Sequence, residues 1–343
     1  MRFAKGGTRA RVARGILAVL AVLSLSAGRD EAAAEGYGPF PVRNFQPIQL
    51  LVLGMPGDRA AVLKKGALDV RIELADTSTV FNDRTGTTTA TMKFDQVRSG
   101  LFLRYGLTDR FEVGIEVPTL YRYQGILGGA INQTERLTSG LAPARRALEK
   151  TDFAYNLTRN GQTQFSGGDR DLGLGDTTLF SKYQMLLEGE HRPAVSLRLA
   201  VKAPTGDSGR FFGSGHTDLG AGLAVEKKVA AHWVLYGNVN GILPTGSIAG
   251  LGLQPVVSGL VAAEYLWSPA ASFEVQFDYY SSPFHGTGSP VLDQGVTEVV
   301  AGFNYRLRNN LLWQVYGVEN VDFIRGAAAD FTLSTVMTYR FSD

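Results

Sequence analysis

Ser272-Phe-Glu-Val-Gln-Phe-Asp-Tyr-Tyr-Ser281 decides how this chain is read. Phe273, Val275, Phe277 and Tyr279 fall on one face of an extended segment, and Glu274, Gln276, Asp278 and Tyr280 on the other. Side chains alternate across a strand, so this one divides an apolar from a polar surrounding. The end of the chain repeats the pattern. Phe331, Leu333, Met337, Tyr339 and Phe341 alternate with Thr332, Ser334, Thr338 and Arg340. Such segments recur from residue 68 to the last residues, and the connections between them alternate between tight turns and long polar loops. Many half-apolar strands, looped long on one side only, describe an all-β, antiparallel, up-and-down transmembrane β-barrel.

Twelve strands are expected. They are Leu68–Asn82, Thr89–Leu107, Arg110–Tyr123, Leu174–Leu187, Ala194–Ala203, His216–Val229, His232–Leu243, Val256–Trp267, Ser272–Ser281, Val296–Leu307, Leu311–Phe323 and the terminal segment from Phe331. In the second, the apolar parity slips between Phe94 and Leu101, which predicts a β-bulge near Ser99-Gly100. Turns fall at 108–109, 188–193, 230–231, 268–270 and 308–310, and loops at the other connections. In outer-membrane barrels the short turns face the periplasm and the long loops face outside. Both termini then lie on the periplasmic side, as an even strand number requires. A soluble sandwich or lipocalin-like barrel would mix its connections and point the apolar face inward.

The N-terminus and composition agree with export. Residues 1–27 read as a signal peptide: Arg2, Lys5, Arg9, Arg11 and Arg14 precede the apolar stretch Gly15–Leu25, which is too short for a membrane-spanning helix. Small residues suit cleavage after Ser24 and Ser26, or as late as 34 after Ala32 and Ala34. No later apolar run reaches roughly 18 residues. The chain has no cysteine, which excludes disulfides, thiolate metal sites and a lipid-modified cysteine. A net charge of +2 gives nucleic acid no natural foothold. The mean hydropathy is near zero, because a barrel hides its apolar residues at every second position.

Three regions follow: the signal, a leader at 28–67, and the barrel at 68–343. The leader contains Gly38-Pro-Phe-Pro-Val-Arg-Asn-Phe-Gln-Pro47 and then the apolar Ile48–Leu53. It reads either as a flexible periplasmic segment or as a plug of the lumen.

Charges on strands must face the lumen, because a lipid-facing charge costs about 2–4 kcal/mol at mid-bilayer. The candidate lumen-lining set is Asp69, Arg71, Glu73, Arg104, Glu112, Glu116, Lys182, Arg198, Lys202, Glu226, Glu264, Glu274, Asp278, Glu298, Arg306 and Arg340. These residues either line a polar channel or pair with one another and fill it. Acids outnumber bases, which leans towards cations or neutral solutes. Tyr105, Tyr121, Trp233, Tyr265, Trp267, Trp313, Tyr339 and Phe341 lie near strand ends and suit an aromatic girdle at the headgroup level. The aromatic last strand resembles the signal read by the barrel-assembly machinery, with Ser342-Asp343 as an added tail.

Little else carries chemistry. Of four histidines, His191 and His232 fall at turns, and His216 and His285 fall near the outer rim beside Ser214, Ser281 and Ser282. A lipid hydrolase would need a Ser/His pair there, yet no nucleophile motif is present. The run Gly167–Asp176 resembles one turn of a calcium-binding repeat, but a loop-to-strand junction uses the same residues. Within the long insertion 124–172, a short basic helix is expected at Ala144–Lys150, with Arg145, Arg146 and Lys150 placed to meet lipopolysaccharide or the pore.

Leu172-Gly-Leu-Gly-Asp176 running into Phe180-Ser-Lys-Tyr183, and Val201-Lys-Ala-Pro-Thr-Gly206, resemble the outer-membrane barrels of the phenol-degradation (MetA-type) transporter group. Pro-Thr-Gly returns at Leu243–Gly246. Gly38-Pro-Phe-Pro-Val-Arg-Asn44 resembles a related proteobacterial barrel family of unknown function. The resemblance implies passive passage of small, apolar or aromatic solutes across the outer membrane, with no cofactor and no catalytic residue. The competing expectation is a closed structural or adhesive barrel whose outer loops bind partners.

Overall fold

The computed structural model describes residues 35–138, 140–321 and 330–341. The expected signal peptide, the end of the eleventh strand at Phe323 and the tail Ser342-Asp343 lie outside them.

Seventeen strands are described. Twelve close a single antiparallel barrel: β1 (Leu68–Thr85), β2 (Thr88–Thr108), β3 (Phe111–Tyr123), β7 (Thr177–Leu186), β8 (Ala194–Ala203), β9 (Asp218–Ala230), β10 (Trp233–Pro244), β13 (Val256–Ser268), β14 (Ala271–Tyr280), β15 (Val296–Arg308), β16 (Leu311–Asn320) and β17 (Phe331–Phe341). Each pairs with the next, and β17 returns to β1 with Leu68 opposite Phe341 and Ser78 opposite Phe331. Closure leaves no strand edge, which is what hydrocarbon demands of a sheet. Thr77 and Thr332 hydrogen-bond to each other at 2.9 Å on the inner side of the closing seam.

The other strands belong to the loops. β4 (Ala154–Arg159) and β5 (Gln162–Ser166) form a hairpin, and β4 pairs with the projecting end of β2. β6 (Asp171–Leu174) continues the line of β7 on the outer half of β3. β11 (Ser247–Ile248) and β12 (Leu251–Gly252) form a small separate hairpin. The insertion also holds helices at Leu127–Thr138 and Pro143–Ala147. The second is the expected basic helix, shorter and one residue earlier, because Pro143 supplies a preset first turn. No described helix is long and apolar enough to cross a membrane.

Alternation survives folding. On β1, Asp69, Glu73, Ala75 and Thr77 are buried while Ile72 and Leu74 are exposed. On β14, Glu274, Gln276 and Asp278 are buried while Phe277 and Tyr279 face out. The exposed side chains form an apolar outer belt, the surface a barrel presents to lipid.

Two expectations at the first hairpin fail. The β1–β2 connection is no loop: strands of 18 and 21 residues run past the rim and meet in the tight turn Gly86-Thr87, where Gly86 has φ 56°. The bulge at Ser99-Gly100 is absent, and β2 pairs with β1 without a slip from Thr88 to Tyr105. Phe94 and Met92 belong to the inner face, like Arg98 and Phe102. Beyond the rim that face packs on Tyr155, Leu157 and Phe165, so it becomes apolar without any change of parity. The irregularities of the wall sit instead beside short turns, at Gly106/Thr108, Gln184/Leu186, Trp233/Val234, Leu266/Ser268 and Arg306/Arg308.

Candidate channel lumen

The lumen is occupied by the chain's own leader. Residues 36–47 run from the short-turn end towards the loop end, and 55–65 run back to β1. At the start, the Tyr37 N–H donates to Glu264 (3.0 Å) and the Tyr37 hydroxyl to the Pro269 carbonyl in a short turn (2.8 Å). The Phe40 N–H then meets Glu274, and the Phe40 ring stacks on Tyr316 at 4.7 Å. Phe40, Val42 and Phe45 pack on Ala75, Val300, Tyr316, Val318 and Val336 of the wall. The tip, Ile48–Met55, reaches the outer end, where the Leu51 carbonyl accepts from Lys202 (2.7 Å) and the Leu53 N–H donates to Asp218 (2.8 Å).

The returning arm is held by charge. Asp58 pairs with Arg104 at 2.6 Å and with Lys182 at 3.2 Å, and Arg59 pairs with Glu226. Main-chain groups fill the gaps: the Pro56 carbonyl accepts from Arg198 (2.6 Å), the Ala60 carbonyl from Ser196, and the Leu63 N–H donates to Glu112 (2.7 Å). At the junction with β1, the Gly66 N–H donates to the Gly106 carbonyl, and the Gly106 N–H to the Ala67 carbonyl. A Cβ on Gly106 would stand 2.1 Å from the Lys64 carbonyl oxygen, so this close approach requires glycine.

The sequence-derived residues fall as follows. Asp69, Glu73, Glu112, Glu116, Lys182, Arg198, Lys202, Glu226, Glu264, Glu274, Asp278 and Glu298 are all buried. Arg71, Arg104 and Arg306 are partly buried. Arg340 sits at the short-turn rim, more than half exposed, in a two-pronged pair with Asp69 at 2.8 Å. Arg71 lies over the Phe102 ring at 3.8 Å. Glu116 receives both Arg43 of the leader (3.0 Å) and Arg98, which also holds Glu73 (3.0 Å). Lys202 joins Asp176 and Asp218 at the outer end.

Sequence reasoning missed the partners. Asp58, Arg59 and Arg43 belong to the leader; Arg98 and Asp218 belong to the wall. The signal for the first two was a charged pair, Asp58-Arg59, directly after an apolar stretch. A charge pair there has to find counter-charges if the segment is buried.

Charge is unevenly spread around the wall. Arg98, Arg104, Lys182, Arg198 and Lys202 lie on β2, β7 and β8. Across the lumen, Glu264, Glu274, Asp278 and Glu298 lie on β13–β15, whose bases, Arg306 and Arg308, fall beside the short turn. Between leader and wall remain cavities of about 70 Å³ and 30 Å³, the larger one near Arg43, Arg98, Glu116 and Lys202. These hold a few water molecules at most.

At the loop end the interior changes character. Ile48, Leu51, Val52 and Leu53 of the tip pack with Phe81, Met92, Phe94, Tyr155, Phe165, Ile248, Leu251, Phe284 and Leu292. Loops, projecting hairpin and leader tip together form one apolar cap over the mouth.

The aromatic residues do not divide evenly. Tyr105, Trp233, Tyr265, Trp267, Trp313, Tyr339 and Phe341 all stand by the short turns or at the seam where β1 begins and β17 ends; of the eight, Tyr121 alone stands at the loop end. The Ser/His and glycine–aspartate candidates are engaged structurally. Ser214 Oγ contacts Lys202 and Asp176 and accepts from the His216 main chain. Ser282 Oγ donates to the Leu292 carbonyl. Asp171 pairs with Arg210, and Asp176 with Lys202.

This architecture is that of a transmembrane β-barrel with a filled lumen. The family model described as "Protein of unknown function (DUF3187)" matches residues 16–341, so the chain belongs to that family. Among solved structures, the fold is similar to the COG4313 outer-membrane channel from Pseudomonas putida F1, with 15% identity over 83% of this chain and 99% of that one and a TM-score of 0.56. Weaker similarities are to the KdgM porin (8% identity, 80% and 99% covered, TM-score 0.42) and the CymD monoaromatic hydrocarbon channel (11%, 88% and 97%, 0.40). No curated protein sequence matches the chain.

Proposed function

We propose that the protein is an outer-membrane channel for small solutes, with its short turns in the periplasm and residues 36–65 as its plug. The observation that carries this reading is the bonding of the leader. Its hydrogen bonds and ion pairs reach inward-facing side chains of eight wall strands, mostly through main-chain groups and a few ion pairs, as a removable insert would. A purely structural core would not need so many charged side chains on the wall, since apolar packing fills a barrel at lower desolvation cost. The apolar cap offers a first contact for solutes with an aromatic or alkyl part, and diffusion through such a path needs no cofactor.

Conductance in planar bilayers tests the reading. The intact protein is expected to open rarely, and removal of Gly38–Leu53 to give steady openings. A folded deletion variant with neither conductance nor liposome swelling would overturn it. The filled lumen favours the competing reading, a closed barrel that binds partners through its loops, and that same null result would support it.

A further inference from the structure

We propose that the plug opens by its first arm alone, residues 36–47, and that the path this arm uncovers takes small organic cations; this rests on the channel reading above. The two arms are held by different physics. The first arm offers the acidic side of the wall main-chain N–H groups, from Tyr37 and Phe40, and has a single ion pair, Arg43 with Glu116. Its withdrawal leaves Glu116 still paired with Arg98. The second arm neutralises Arg104, Lys182 and Glu226 through Asp58 and Arg59. Its withdrawal would strand buried charges, which is costly. It is also tied into the wall at Gly66 and Gly106. The arms touch where they pass: a Cβ on Gly57 would lie 2.4 Å from the Phe40 carbonyl oxygen. The first arm can therefore leave towards the short-turn end while the second stays.

What the first arm covers is acidic. Glu264, Glu274 and Asp278 are each at most 2% exposed, and none has an ion-pair partner among the described residues. Glu264 accepts from Tyr37, Tyr236, Ser272 and Asn304, and Asp278 from Gln276 and Tyr280. Gln276 Oε1 on the same strip is buried with no donor among the described residues, a further acceptor awaiting one. The base at the foot of the strip is Arg306, over the Tyr37 ring at 5.1 Å. The bases of β2, β7 and β8 stay matched by the second arm and the wall. An opened half-lumen thus presents carboxylates and a neutral acceptor below an apolar cap. An ammonium group with an alkyl or aromatic part fits both layers.

The deciding experiment removes residues 36–47 and measures reversal potential in a potassium chloride gradient. Potassium should be preferred over chloride by at least about threefold, and benzylamine should enter liposomes faster than benzoate. The triple variant Glu264→Gln, Glu274→Gln, Asp278→Asn in that background should bring the ratio close to one. Chloride preference, or a ratio unmoved by the triple variant, overturns the solute class. A barrel lacking all of 36–65 separates the failures. If it conducts and the shorter deletion does not, the one-arm gate is wrong; if neither conducts, the channel reading falls and the inference with it. In the full chain, hydrogen exchange at the Tyr37 and Phe40 amides should run at least about tenfold faster than at Leu53 and Leu63. Equal or slower exchange overturns the one-arm gate without any deletion.

Discussion

The interior has two layers, and they are built on opposite principles. Through the barrel proper, the leader and wall meet mainly through ion pairs and main-chain hydrogen bonds around Asp58, Arg59, Glu112 and Lys182, with one small apolar patch at Phe40, Val42 and Phe45. At the loop end, the tip of the same leader enters an apolar cluster with Phe81, Phe94, Phe284 and Leu292. The difference follows from what lies outside the wall. Across the barrel proper the outward positions are given to lipid, so charged side chains are forced inward and need partners there. Beyond the rim no such division applies, and loops can build an ordinary core. Stability should therefore concentrate in the cap, while the polar layer supplies register and the means to open.

The largest effect should come from the cap. Phe284 is fully buried in a loop, and Phe284→Ala should lower unfolding free energy in detergent by about 3–5 kcal/mol. Asp58→Ala should cost less, about 3 kcal/mol. It leaves Arg104 and Lys182 without their leader carboxylate, but Glu112 remains 3.1 Å from Lys182 and 3.7 Å from Arg104. Denaturant midpoints order the two; a larger loss at Asp58 would reverse the comparison.

A smaller, pH-dependent effect is expected outside the membrane. Asp330 pairs with Arg145 at 2.8 Å, yet burial, aided by Glu135, raises its carboxyl to about 6 against the pull of Arg145. A carboxyl raised on folding favours the packed loop most below its unfolded value, and that contribution fades as pH rises through the folded one. Protection of the Arg146–Leu148 amides should thus decline between about pH 4 and pH 6 and level off above. In Asp330→Asn the slope should vanish; an unchanged slope would overturn its assignment to Asp330. Smallest of all, Arg136→Ala removes an exposed pair with Glu149 and should leave the midpoint unchanged within error.

The alternation in Ser272–Ser281 and Phe331–Phe341, with turns on alternate connections, was enough to determine a closed barrel of twelve strands, because period two and bilayer thickness leave few alternatives. The positions of buried charges were legible for the same reason: a strand residue has only two sides. Partners were not legible. Nothing local in Asp58 says that it meets Arg104 and Lys182, which lie 46 and 124 residues away. The apparent slip in β2 shows the same limit from the other direction. Phe94 reads as outward-facing until the hairpin of β4 and β5 covers its face, because an apolar residue records burial and not what buries it. The one-dimensional pattern determined which side each wall residue takes. Only the tertiary structure decided that the chain's own leader fills the lumen, since that depends on contacts between segments far apart in sequence.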